Sequence, residues 1–220
     1  MPSKNSIKTY TENGFYHVYN RGVEKRIIFQ DELDYKMFLS YLKNYLLSPD
    51  VNQNQTRPQR KPHLHDKIQL ISYCLMPNHF HLLIKQLSDK KAIIRFMRSL
   101  ANAYTSYFNR RNERVGHLFQ GKYKAVLISE EPYLLHLTRY IHTNPYDLSH
   151  TFRSDLIRYP YSSYADYLGK RKTDWLHPEE ILGFFKTSQR TSFKDTLSYQ
   201  SFVEDYTKDS KQVLQELTIE

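Results

Sequence analysis

The chain has 220 residues, 40% hydrophobic and 25% charged, values close to those of folded water-soluble proteins and away from disordered or membrane chains. Its one cysteine, Cys74, excludes a disulfide framework and a multi-cysteine zinc site, and no apolar run approaches the roughly 20 residues that span a bilayer. A formal charge of +9 favours polyanionic partners, nucleic acid first, because phosphates neutralised by Lys and Arg release their counterions.

The charge is unevenly spread. From Gln189 to the end there are four Lys/Arg and six Asp/Glu, net −2, so the first 188 residues carry +11. A polar N-terminus without an apolar signal stretch, together with the lone cysteine, suits the cytoplasm and no membrane association.

Phe15 to Tyr19 alternates aromatic and β-branched residues and breaks at Asn20-Arg21-Gly22, which predicts a strand and a turn. Asp31 is placed to cap a helix running to about Leu47, whose apolar residues recur at three and four residue spacings. Ser48 to Asp66 shows no periodicity and reads as an exposed basic loop. Ile68 to Leu75 and His79 to Lys85 form two β-rich runs joined by Met76-Pro77-Asn78, a hairpin signal. Lys91 to Asn109 is amphipathic, with Ile93, Phe96, Met97 and Leu100 on the buried side and Arg95, Arg98 and Asn102 on the other. Tyr123 to Ile128 is a fourth strand, followed by a helix capped at Ser129 and ending at Asn144, because Pro145 follows.

The order βαββαβα predicts an α+β fold, a ferredoxin-like antiparallel sheet with helices on one face. The expected division is a catalytic domain over 1–145 and an extension over 146–220, loop-rich and then helical near Pro178 to Lys186 and Phe193 to Tyr206.

The chemistry concentrates in two places. His79 and His81 stand at i and i+2 of a strand, so both imidazoles leave the same face while Phe80 points away, giving a bidentate metal site that needs a third ligand. On the last helix Tyr140 and Asn144 are four residues apart, hence one turn apart on one side. The Asn144 amide oxygen is able to ligate a hard cation while Tyr140 reaches a phosphate bound to it. A phenol with an unperturbed pKa near 10 needs a base or a cation to attack a phosphodiester at neutral pH.

His-hydrophobic-His on a strand followed downstream by Tyr140-Ile141-His142-Thr143-Asn144-Pro145 resembles the single-tyrosine HUH transposases, particularly the REP-associated tyrosine transposases of bacteria. Phe15 to Gly22, Tyr73 to His81, Phe119 to Tyr123 and Tyr161 to Tyr164 also resemble that family's pattern, so the similarity runs from about residue 13 to 168. Tyr146 departs from it, since a valine commonly follows the proline. The resemblance implies a Mg²⁺- or Mn²⁺-assisted attack by Tyr140 on single-stranded, hairpin-bearing DNA, leaving a 5′-phosphotyrosine and a free 3′-hydroxyl. His79, His81 and Asn144 would be the metal ligands, in a monomer or homodimer.

Candidate DNA contacts are Asn20 and Arg21 in the first turn, Arg95, Arg98, Arg110 and Arg111 along the basic helix, and Lys122 in Phe119 to Tyr123. Arg57, Arg60 and Lys61 form a further basic cluster. Taken singly, such bases are ordinary solvated charge.

Blander readings compete. A lone His-x-His is often a satisfied polar pair, and Tyr140, one of 19 tyrosines, continues an apolar stripe with Tyr133, Leu137 and Ile141 that reads as core. His63-Leu64-His65 lies in the irregular loop and reads as a solvated decoy. His142, about 200 degrees round the helix from Tyr140 at about 100 degrees per residue, reads as structural or near DNA. Alternatives to the transposase are a metal-dependent nuclease using water, or a catalytically silent nucleic-acid-binding module. A histidine-triad hydrolase is disfavoured by Leu83, where its third histidine is expected.

Overall fold

Alternation along Phe15–Arg21 produces strand β1, whose even-numbered side chains Tyr16 and Val18 enter one core while His17 and Tyr19 face the other side. A computed structural model describes residues 10–48, 63–148, 155–186 and 198–205. Helix α1 (Glu32–Leu46) begins where Asp31 accepts hydrogen bonds from the Leu33 and Asp34 amides at 3.0 and 3.3 Å, as its sequence predicts. Then come β2 (Ile68–Met76), β3 (His79–Gln86), α2 (Ala92–Arg111), β4 (Lys124–Ile128) and α3 (Glu131–Thr143). The extension adds α4 (Tyr164–Tyr167), α5 (Glu179–Lys186) and α6 (Tyr199–Glu204).

The sheet order is β2-β3-β1-β4, with every neighbouring pair antiparallel. This is the ferredoxin-like arrangement expected from the element order. One expectation needs correction: the helices do not share one face. Phe38 and Leu42 of α1 and Phe96 and Leu100 of α2 pack with Val18, Phe80 and Leu82. Leu137 and Ile141 of α3 pack instead with Cys74 and Leu83, on the opposite face, together with Tyr164, Tyr167 and Phe202 of the extension. Buried Leu134, Leu135, Leu137 and Ile141 of α3 supply the apolar surface that covers this face.

One smaller expectation also shifts: Glu130, not Ser129, is the residue preceding α3. The helix does end at its C-cap Asn144 as expected, and a tighter turn over Asn144–Asp147 follows, with Pro145 at its start, where its missing N–H costs nothing. Arg57, Arg60, Lys61 and most of the predicted basic loop lie outside the described residues, as do residues 193–197 and 206 of the last predicted helix.

Formally β2 is an edge strand, yet it is almost wholly buried. The extension covers its open backbone: the Leu75 amide donates to Tyr161 O at 2.9 Å, the Ser163 amide to Tyr73 O at 3.0 Å and the His177 amide to Leu70 O at 2.8 Å. Residues beyond 145 therefore share both the sheet edge and a core with α3. Among the described residues no helix is long and apolar enough to cross a membrane.

Candidate active site

His79 and His81 lie on β3 opposite Arg21 and Tyr19 of β1, and they leave the sheet on the face that α3 covers. The Tyr140 ring stands edge-on to His81, with centroids 5.3 Å apart and planes at 83°. Thus the two sequence motifs, 59 positions apart from His81 to Tyr140, meet in one place.

Each histidine is oriented through its Nδ1. Asn78 Oδ1 is 2.6 Å from His79 Nδ1, and an amide oxygen only accepts, so this nitrogen carries the proton and Nε2 the lone pair. His81 Nδ1 lies 2.8 Å from Nε2 of His17, which is completely buried on β1. With His17 accepting, His81 likewise presents its lone pair at Nε2. A partner that fixes the tautomer of a histidine in this way is the usual outer support of a metal ligand.

Asn144 is buried at the end of α3, and its Nδ2 donates to Tyr140 O at 2.7 Å. That bond fixes which end of the amide is oxygen and leaves Oδ1 as the atom that could accept a cation. His79, Tyr140 and Asn144 line a cavity of about 340 Å³ with Arg21, Met76 and Asp147. Among the described residues no three His, Cys, Asp or Glu side chains converge as a metal cluster. His79 and Asn144 line the cavity, whereas His81 is completely buried beside Tyr140 and does not line it. Imidazole nitrogen and amide oxygen are donor types that would fit a divalent cation, with substrate oxygens completing its shell.

The candidate DNA contacts separate into three groups. Arg21 lines the tyrosine cavity. Asn20, Arg98 and Lys122 line a different groove, on the α2 face. Arg95 and Arg111 are committed elsewhere, Arg95 to Asp89 and Arg111 to Asp31 and Asp34. Arg110 is exposed on α2 beside neither cavity. Asn20 also braces the backbone, accepting from the Arg21 amide at 2.9 Å and donating to Gly121 O at 3.2 Å.

His17, Asn78 and Asp147 were not singled out from the sequence. The signal for His17 was present, because it shares a strand face with Tyr19, but only the pairing of β1 with β3 brings it to His81. His142 is structural, as one of its two expected readings had it: its Nδ1 lies 2.7 Å from the Tyr199 hydroxyl and its Nε2 2.7 Å from Ser163 Oγ, with the ring fully buried. Burial pushes its pKa down to about 3, with Arg171 adding to the shift. His63 and His65 are half-buried rather than solvated, because Leu64 between them is anchored in the α1/α2 core.

Comparisons with known proteins bear on the fold and the family. A solved REP-associated tyrosine transposase bound to a REP hairpin is similar over 78% of this chain and 90% of its own, at 14% identity and a TM-score of 0.50, which shows a shared fold. A Deinococcus radiodurans R1 protein described as a transposase aligns over 64% of this chain and 95% of its own at 16% identity and TM-score 0.36. The tRNA(His) guanylyltransferase of Saccharomyces cerevisiae aligns over 86% and 78% at 14% identity and TM-score 0.40. At those scores the last two carry no argument. Curated proteins give no match. The profile of the family described as "Transposase IS200 like" matches residues 32–144, from the start of α1 through His79, His81 and Tyr140 to Asn144. With just over half of the chain matched, this protein belongs to the IS200-like transposase family.

Proposed function

We propose that the protein cleaves and rejoins single-stranded, hairpin-bearing DNA through a covalent bond to Tyr140. The observation that carries this reading is the edge-on placement of Tyr140 against the buried His81, with Tyr140 lining a cavity together with His79, Asn144 and Arg21. The fold match to a transposase bound to a REP hairpin supports the substrate class.

The Tyr140 hydroxyl attacks a phosphodiester, the Oη–P bond forms and the P–O3′ bond breaks. The phenolic proton leaves to solvent and the departing O3′ takes one up. The products are a 5′-phosphotyrosine and a 3′-hydroxyl, and reversal on another end needs no ATP because the bond energy is kept in the phosphotyrosine. Arg21 positions the phosphate by charge, and α3 fixes Tyr140 and Asn144 on one side of the helix. His79, His81 and Asn144 would hold Mg²⁺ or Mn²⁺, which supplies charge stabilisation at the phosphate. His17 and Asn78 hold the two imidazoles in the ligating tautomer. Tyr140 and the histidines meet within one chain, which supports action as a monomer.

The test is a denaturing gel for a protein–DNA adduct formed with labelled single-stranded hairpin oligonucleotides from the DNA flanking the gene, in Mn²⁺. An adduct abolished by EDTA and by Tyr140→Phe supports the reading. Cleavage that persists in Tyr140→Phe, releasing free 5′-phosphates, would establish a water-using nuclease instead.

A further inference from the structure

Asn20 and Arg21 are consecutive on β1 and so face opposite sides of the sheet. Arg21 lines the tyrosine cavity, whereas Asn20 lines a second and larger groove of about 840 Å³ between α2 and the loop leading into β4. That loop is fastened to the end of β1: the Gln120 amide donates to Arg21 O at 2.8 Å, Phe119 bridges Gly22, and Asn20 Nδ2 donates to Gly121 O at 3.2 Å. The two sites therefore meet at the end of β1, with Asn20 lining one and Arg21 the other.

Building on the reading of the tyrosine site, we propose that this groove holds an unpaired stretch of the same DNA strand that is attacked at Tyr140.

The groove has the two chemistries a single strand requires. Its floor is apolar, formed by Met97, Ala101, Leu118 and Phe119, and Ile94 within it leaves 43% of its surface exposed. Tyr10 and Tyr123, joined hydroxyl to hydroxyl at 2.8 Å, stand at the margin as aromatic partners for bases. A volume of about 840 Å³ lies within the roughly 300–1,000 Å³ of ligand sites, enough for a short run of nucleotides. The rim is cationic and amidic, with Arg98, Lys122 and Asn102 exposed, and among the described residues no acidic side chain lines it. Paired duplex offers phosphates and groove edges but no free base faces, so the apolar floor favours a single strand.

The cations are sorted in the same sense. Among the described residues no ion pair engages Arg98 or Lys122, whereas Arg95, one turn away on the same helix, pairs with Asp89 and Arg111 pairs with Asp31 and Asp34. Phosphates meeting Arg98 and Lys122 displace no protein partner.

The experiment measures binding of fluorescent oligothymidylates, which cannot form hairpins, in the non-reacting Tyr140→Phe background. It compares the added pair Arg98→Glu and Lys122→Glu with a charge-matched reversal of Lys36 and Lys43, exposed on α1 away from the groove. The groove pair is expected to weaken binding by about tenfold or more, against a much smaller loss for the α1 pair. The slope of log affinity against log salt should fall by about 1.4, from two single-strand contacts at about 0.7 each. An unchanged melting temperature certifies the fold, since both residues are exposed. Equal losses for both pairs, no measurable single-strand binding by the parent, or a loss confined to duplex competitors would each overturn the proposal. Because binding is read without Tyr140, a groove effect in a protein that forms no adduct would sink the cleavage reading and leave the groove standing.

Discussion

His17 Nε2 lies 2.8 Å from His81 Nδ1, joining β1 to β3 at a point where both imidazoles are completely buried. One histidine thus holds the ring of another, on the face that carries Tyr140, and when His17 accepts it leaves the His81 lone pair at Nε2.

If His79 and His81 hold the metal as proposed, His17→Phe should leave both in place while lowering metal affinity by about 10- to 100-fold, the usual cost of losing an outer-shell partner. The readout is adduct formation titrated with Mn²⁺. A midpoint shifted to higher Mn²⁺ with recovery at saturation is expected, and an unmoved midpoint would deny the role.

Asn144 offers Oδ1 because its Nδ2 is held by Tyr140 O. Asn144→Asp retains an oxygen ligand and should preserve much of the Mn²⁺-dependent adduct, whereas Asn144→Leu should reduce it by two orders of magnitude or more. Equal activity in the two variants would remove Asn144 from the ligand set.

Arg111 joins the end of α2 to the start of α1 through Asp31 and the fully buried Asp34 carboxylate. Asp34 also accepts from the Gln30 amide at 2.8 Å and the Tyr107 hydroxyl at 3.0 Å, so Arg111→Ala leaves it partly satisfied. The expected outcome is a lower midpoint in chemical denaturation. Its effect on DNA binding in folded protein should be small beside that of Arg98 and Lys122, which places Arg111 with the scaffold.

His142 and His136 are held neutral, with pKa values pushed down to about 3 and about 4, burial being the larger cause in each and Arg171 and Arg139 the nearby charges. A depressed histidine pKa means that the unfolded chain binds the proton first. Stability is then complete above about pH 6.5 and falls as pH drops through the window below it, by about 1.4 kcal/mol per unit for each such histidine. Denaturation midpoints measured from pH 7.5 to 5 should decline accordingly. His142→Gln should be less stable at pH 7.5 but show a shallower decline; a flat profile in the parent protein would contradict the assignment.

Gly22 sits where the chain leaves β1 and folds back on itself. A methyl group there would overlap the Arg26 carbonyl oxygen and crowd Ile28, so Gly22→Ala should cost about 1–3 kcal/mol. Its melting temperature is the measurement, and wild-type stability would show that the turn yields easily.

Much of this protein was legible in its sequence because the relevant signals are local. The two-residue strand period places His79 and His81 on one face, and the helical turn places Tyr140 and Asn144 on one side. Asp31 caps α1 with its own side chain, and alternating strand and helix patterns give the βαββαβα order. Other features depend on partners far apart in the chain. That α3 crosses to the opposite face, that His17 reaches His81, that the extension seals the β2 edge and clasps His142, and that Arg111 is ion-paired while Arg98 engages no ion pair among the described residues were decided by packing. A sequence period states which side of an element a residue occupies. Only the pairing register and the competition for apolar surface decide what that side meets.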